Sequence, residues 1–204
     1  MIKTIIFDFG GVFVNLNKEA TQIELATLGV HNFSDEMVQN NMLYEKGLIS
    51  SEEFIFFYKD QFPGTTYNWL RNAWNSVMLD FPEHRLEFIE SLFNENKFML
   101  ILLSNTNVIH FQKVIEQMGE EKYLRFKNSF HSFYLSHEIK MRKPEKEIFR
   151  FVLKTHTLEP DECLFIDDTR THTDIANKLG IHIWNIHSEN EDIVTLFDTK
   201  SDLF

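Results

Sequence analysis

The run Phe98-Met99-Leu100-Ile101-Leu102-Leu103 has no polar side chain and then breaks abruptly into Ser104-Asn105-Thr106-Asn107. Six residues is strand length, and a strand that never alternates has both of its faces covered. That situation is characteristic of parallel sheets with helices above and below, so this one segment points to an α/β architecture. The run is the longest apolar stretch in the chain and is far too short to cross a bilayer, so we expect no membrane association.

The flanking pattern agrees. Thr4 to Phe9, Phe130 to Leu135, Cys163 to Ile166 and Ile181 to Trp184 read as further strands, and helical segments alternate with them. Those segments are Glu83 to Asn94, Val108 to Met118, one opened by Lys143-Pro144 near its first turn, Thr173 to Leu179, and Asp192 to Phe197. Alternation of this kind implies right-handed crossovers and a mostly parallel sheet. Between the first two strands lies a long stretch of helical pattern with no convincing strand. Its segments are Glu19 to Leu28 closed by Gly29, Ser34 to about Tyr44, a helix begun by the capping box Ser50 to Glu53, and Tyr67 to Val77 after the Pro63-Gly64 break. Only 7 Gly and 4 Pro occur, and no linker separates two independent domains. We therefore expect residues 1–14 and 82–204 to form one core and residues 15–81 an all-helical insertion.

The net charge of −11 repels polyanions, which argues against nucleic-acid partners and anionic membrane surfaces. It leaves room for a small phosphate ester in a local basic pocket. The single cysteine, Cys163, allows neither an internal disulfide nor a cysteine metal cluster, and Met1 to Gly11 lacks the pattern of a secretory signal; we expect a cytoplasmic protein.

Ligands of open parallel sheets bind beyond the carboxyl ends of the strands. The polar residues placed there are Asp8 with Gly10-Gly11, Ser104-Asn105, and Asp167-Asp168, and Arg142-Lys143 precedes a helix. Each alone has an ordinary explanation: a turn former, an N-cap cluster, a solvated charge pair. Together they would bring carboxylates, a hydroxyl and a lysine to one sheet edge. Oxygen ligands from Asp8 and Asp168 suit Mg²⁺. Ser104 and the N–H groups after it suit a phosphate, and Lys143 would balance the charge. The pattern fits phosphoryl transfer with a carboxylate as nucleophile.

The four motifs Phe7-Asp8-Phe9-Gly10-Gly11-Val12, Leu103-Ser104-Asn105-Thr106-Asn107, Met141-Arg142-Lys143-Pro144-Glu145 and Phe165-Ile166-Asp167-Asp168 resemble, in order and spacing, those of the haloacid dehalogenase superfamily of phosphatases. They cover nearly the whole chain. The nearest resemblance is to the branch with a bacterial sugar-1-phosphate phosphatase and the phosphatase domain of soluble epoxide hydrolases. The resemblance implies a Rossmann-like parallel sheet with helices on both faces and an all-helical cap inserted after strand one. It implies that Asp8 attacks phosphorus, that Ser104 and Asn105 hold the phosphoryl oxygens, and that Lys143 steadies both. It implies a Mg²⁺ cofactor held by Asp8, the Gly10 carbonyl and Asp168, with Asp167 behind them.

One position departs from the pattern. Most phosphatases of this family carry a second Asp two residues after the nucleophile as general acid and base; here it is Gly10. Dehalogenases of the superfamily usually have Tyr there, so Gly10 gives dehalogenation no support. The expected activity is hydrolysis of a small phosphorylated metabolite, with sugar-1-phosphates favoured for their better leaving group. A weakly catalytic relative that binds a phosphorylated ligand or a protein, and a phosphotransferase, are the rivals. Tyr44, Glu45 and Trp74 are candidates for substrate contact from the cap, with Glu45 a conceivable proton donor, and packing or solvation is their ordinary alternative. We expect a monomer or weak dimer. None of the nine histidines shows metal-ligand spacing, and His182, His187, Cys163 and Phe54 to Tyr58 read as structural.

Overall fold

The computed structural model describes residues 1–204. In chain order the elements are β1 (Thr4–Phe7), α1 (Ala20–Ala26), α2 (Asp35–Glu45), α3 (Ser51–Gln61), α4 (Tyr67–Asn75), α5 (Glu83–Glu95), β2 (Met99–Ser104), α6 (Val108–Met118), α7 (Glu120–Asn128), β3 (Ser132–Leu135), α8 (Ser136–Ile139), α9 (Lys146–Thr155), β4 (Cys163–Asp167), α10 (Arg170–Asn177), β5 (His182–Asn185) and α11 (Leu196–Thr199). The five strands form one parallel sheet in the order β3-β2-β1-β4-β5.

Alternate strand residues serve opposite faces. Ile5, Phe7, Leu100, Leu102, Leu164 and Ile166 pack into a core with α5, α6 and α7. Ile6, Ile101, Leu103, Cys163 and Phe165 pack into another with α9 and α10. Both faces need apolar side chains, which is why the strand sequences do not alternate.

The helices between β1 and β2 have a third core of their own, made of Leu25, Val30, Met37, Tyr44, Phe54, Ile55, Tyr58 and Leu70, and it leans on Ile109 of α6. The Ser50–Glu53 capping box forms as the sequence indicates, and Ser34 and Thr66 cap α2 and α4. Two antiparallel segments join this helical layer to the sheet. The Asn15 N–H donates to the Asp80 carbonyl, the Leu79 N–H to Asn15, and the Asn17 N–H to Val77, with Leu16 opposite Met78. Arg85 braces the junction from inside, bonded to the Phe13 carbonyl, Asn15 and Asp192.

Three local expectations change. Residues 120–128 form α7, a highly charged helix that buries only Phe126 and so lacks an apolar stripe. Pro144 precedes α9 instead of opening its first turn: Glu145 is the N-cap and Lys146 the first helical residue. α10 starts at Arg170, three residues before the expected Thr173. No helix is long and apolar enough to cross a membrane.

Candidate active site

Strand β1 is central, paired with β2 on one side and β4 on the other, with Phe7 level with both Leu102 and Ile166. The chain builds outward through β2 and β3 and then crosses to β4, so the order reverses beside β1. A crevice at the carboxyl ends of the strands is the geometric result of such a reversal. Asp8 follows β1, Ser104 ends β2, and Asp167-Asp168 ends β4, all facing that crevice.

Lys143 is the hub. Its side chain is fully buried, and its ammonium lies 2.8 Å from Asp8 Oδ1 and donates to Asp167 Oδ2 at 2.6 Å. Burial alone would lower its pKa, but Asp167 and Asp8 raise it, so it stays charged. Asp167 also accepts from the Thr169 N–H at 2.7 Å and from His172 Nδ1 at 3.0 Å. Burial would raise the Asp167 pKa, yet Lys143 and His172 bring it down to about 2. Its oxygens are thus committed to protein partners, which places Asp167 behind the reacting edge.

Asp8 and Asp168 differ. Asp8 Oδ1 and Asp168 Oδ2 are buried and accept no well-directed hydrogen bond; each has only a lysine ammonium in ion-pair range. Burial pushes the Asp8 carboxyl up to about 6 against the pull of Lys143, with Asp167 and Asp168 adding to the rise. Ligand oxygens from Asp8, Asp167 and Asp168 lie within 4.8 Å of one another. Asp8 Oδ1 and Asp168 Oδ2 have lysine ammoniums as their only partners, and an all-oxygen donor set of this kind fits Mg²⁺.

Gly11 shows how tightly this corner is built. Its φ is +73°, and a Cβ there would lie 2.0 Å from Asp168 Oδ2, so only glycine lets the carboxylate rest on the backbone. Gly10 is different, with ordinary φ. A Cβ on Gly10 would meet Leu16 Cδ1 at 3.0 Å, so an apolar side chain from the linker fills the space beside it.

Ser104 is buried, and its hydroxyl has only a marginal 3.5 Å contact with the Asn105 carbonyl. The Asn105 side chain is held internally, giving and taking 2.8 Å bonds with the Lys143 backbone. Residue 105 can therefore meet a phosphoryl oxygen through its main-chain N–H or through the second N–H of its amide, which the Lys143 carbonyl does not use. A cavity of about 110 Å³ beside this edge is lined by Gly10, Leu16, Val77, Met78, Thr106 and His110, among others.

The three cap candidates lie elsewhere. Tyr44 is buried, stacks on Phe54 with ring centres 4.1 Å apart, and accepts the Ile109 N–H. Trp74 packs against Phe33, Phe54 and Tyr58. Neither lines the cavity, so their surroundings are those of packing residues. Glu45 is paired with Arg142 at 2.7 Å, which ties its carboxylate to the loop before Lys143 and removes it as a free proton donor. The structure adds residues that motif spacing does not reveal. Lys18 reaches Asp168 at 2.7 Å, His172 orients Asp167, and His110 lines the cavity. His110 Nε2–H donates to the Trp74 carbonyl while Asn107 donates to Nδ1, and burial lowers its pKa to about 4, so it is neutral and occupied.

Residues 2–180 match the family model described as haloacid dehalogenase-like hydrolase. A D-ribitol-5-phosphate phosphatase from Bacteroides thetaiotaomicron is 30% identical over 188 residues, 88% of this chain and 89% of that one. A haloacid dehalogenase family enzyme from the same organism, solved as the wild-type protein with magnesium and inorganic phosphate, is 33% identical. It aligns with a TM-score of 0.81 over 97% of this chain and 100% of that one. A haloacid dehalogenase-like hydrolase from Porphyromonas gingivalis aligns with a TM-score of 0.80 at 26% identity, covering 98% of each chain.

Proposed function

The chain belongs to the haloacid dehalogenase-like hydrolases, and on that premise we propose that it is a Mg²⁺-dependent phosphatase of a small phosphorylated polyol or sugar. The observation that carries this reading is the meeting of Asp8, Ser104, Lys143 and Asp168 at one sheet edge, with two buried carboxylate oxygens left without directed partners.

Asp8 is the nucleophile. Its carboxylate oxygen forms a bond to phosphorus while the ester P–O bond breaks, leaving an aspartyl-phosphate and the alcohol. Water then attacks that phosphorus, the P–O bond to Asp8 breaks, and inorganic phosphate and free Asp8 result. Lys143 holds the attacking carboxylate and balances the incoming negative charge. The Ser104 hydroxyl and the residue 105 N–H hold phosphoryl oxygens. Asp167, fixed by Thr169 and His172, keeps Lys143 in place. The residues that would hold Mg²⁺ are Asp8, Asp168 and the Gly10 carbonyl. Bound there, the ion offsets charge on the transferring group.

Gly10 supplies no acid, and Leu16 keeps the space beside it apolar, so the leaving oxygen takes its proton from water. The phosphatase relative acts on an ester whose leaving group is a primary alcohol. This draws the proposed substrate toward acyclic polyol phosphates and away from anomeric ones. A lone buried cysteine, Cys163, suits a reducing, cytoplasmic setting.

The test is release of inorganic phosphate from a panel holding ribitol-5-phosphate, a hexitol phosphate, a sugar-1-phosphate, its 6-phosphate isomer and an aryl phosphate, with Mg²⁺ and with chelator. Mg²⁺-dependent turnover of at least one polyol phosphate, lost in Asp8→Asn, is expected. Turnover that persists in chelator or in Asp8→Asn would refute the mechanism.

A further inference from the structure

Two lysines serve the three clustered carboxylates, and they are built very differently. Lys143 is fully buried and shared between Asp8 and Asp167. The Lys18 side chain is 57% exposed and touches Asp168 Oδ2 alone, at 2.7 Å. That oxygen is the one pressed against Gly11, buried, and without a directed hydrogen bond.

We propose that Lys18 is an internal competitor for the magnesium site: its ammonium neutralises Asp168 until a divalent cation displaces it. The inference rests on the Mg²⁺ reading above and adds a role for a residue outside the four motifs. An ion pair whose lysine lies mostly in solvent is weakly held and exchangeable. A divalent cation brings twice the charge and engages Asp8 as well as Asp168. The displaced side chain has somewhere to go, because a cavity of about 240 Å³ beside Asp168 is lined by Lys18 itself and by Ile186 to Asn190, with Glu189 as a new partner.

The position of Lys18 gives the exchange a consequence. It directly follows the Asn15–Asn17 segment that pairs with Val77–Asp80, and it lies in the turn that leads into α1. The Lys18–Asp168 contact therefore ties the start of the helical layer to the sheet edge. Cation binding removes that one tie and leaves the Asn15–Asp80 and Asn17–Val77 backbone bonds and the Glu45–Arg142 pair in place.

The experiment measures Lys18 in the intact wild-type protein. Lysines are acylated at low reagent concentration with and without Mg²⁺, and rates are read per site by mass spectrometry. Lys3, ion-paired with Glu162 near the start of β1, serves as the internal reference. Lys18 should label several-fold faster with Mg²⁺ while Lys3 is unchanged. In parallel, Mg²⁺ affinity is read from thermal stabilisation of wild-type protein and Lys18→Met. The variant should bind Mg²⁺ about tenfold more tightly, the effect of removing one competing positive charge at contact distance. If Mg²⁺ stabilises the wild-type protein but Lys18 labelling does not change, the competition is refuted and the metal reading stands. If Mg²⁺ stabilises neither protein, the metal reading falls and this inference falls with it.

Discussion

Replacing Gly10 by Asp would place a carboxylate where most phosphatases of this family carry their general acid, and the structure says what that single change would meet. The new Cβ would sit 3.0 Å from Leu16 Cδ1, with the next two Leu16 atoms at 3.8 and 3.9 Å. One methyl group is in the way, and φ at residue 10 is not strained. Overpacking of this kind costs about 1–3 kcal/mol. Leu16→Ala alone should cost about 1–2 kcal/mol, at or below the low end of the large-to-small range because Leu16 is only partly buried. In the double variant the obstruction is gone, so its stability loss should fall short of the sum by about 1–2 kcal/mol. Urea unfolding of all four proteins in chelator measures this coupling. Losses that add within about 0.5 kcal/mol would show that Leu16 does not fill the Gly10 space. The activity of the same four proteins tests the chemistry. A positioned acid contributes about 10²–10⁴-fold, chiefly for poor leaving groups. Across aryl phosphates of graded leaving-group acidity, the native protein should show a steep dependence and the double variant a shallow one. A flat dependence in the native protein would refute the account of an unassisted leaving oxygen.

Other consequences concern the carboxylates and the helical layer. The Asp8 pKa is raised from 3.8 to about 6, so ionisation of Asp8 costs the metal-free fold stability as pH rises through that window. Asp8→Asn should abolish turnover and yet stabilise the metal-free protein at pH 7, with the difference shrinking as pH falls toward 4, as thermal melts across pH would show. Asp167 has a lowered pKa, so its contribution is present above the ordinary carboxylate range and is lost as pH falls through about 2. Asp168→Asn should raise the Mg²⁺ concentration for half-maximal activity at least tenfold, read from a metal titration after chelation. Tyr44→Phe removes a hydroxyl that contacts Ser51 and accepts the Ile109 N–H; it should cost about 1 kcal/mol in chemical denaturation and leave the ranking of substrates unchanged.

How much of this was legible in the sequence depends on the range of the interaction. The strands and most helices are written in local patterns, because a doubly covered strand is apolar throughout and because Ser34, Ser50 and Thr66 mark helix starts. α7 was not legible: Glu120-Glu121-Lys122-Tyr123-Leu124-Arg125-Phe126-Lys127-Asn128 is mostly solvated, and Phe126 alone of its side chains is fully buried, in an aromatic cluster assembled from distant segments. Asp8, Ser104 and Asp168 could be named as candidates because strand ends have a predictable position in an α/β sheet, and Lys143 because its motif Met141 to Glu145, ahead of α9, resembles the family's. Lys18 and His172 could not, since what they touch is fixed by linker path and helix rotation. Tyr44 and Trp74 show the converse: their place in the helical insertion suggested contact with substrate, whereas the Tyr44 ring lies in the core of the helical layer and the partly buried Trp74 packs against it.

The strand order has a further meaning for the moment of synthesis. β1 leaves the ribosome before the other four strands, but one of its two sheet neighbours is β4, whose last residue is Asp167. A nascent chain that has paired β1, β2 and β3 still presents β1 as a raw sheet edge, able to capture another strand. Asp8 emerges with β1, whereas Lys143, Asp167 and Asp168 follow more than 130 residues later. The proposed nucleophile is therefore surrounded last, and a truncated product carries Asp8 without the lysine that pairs with it. Premature termination before residue 143 should give aggregation-prone fragments with no hydrolytic capacity.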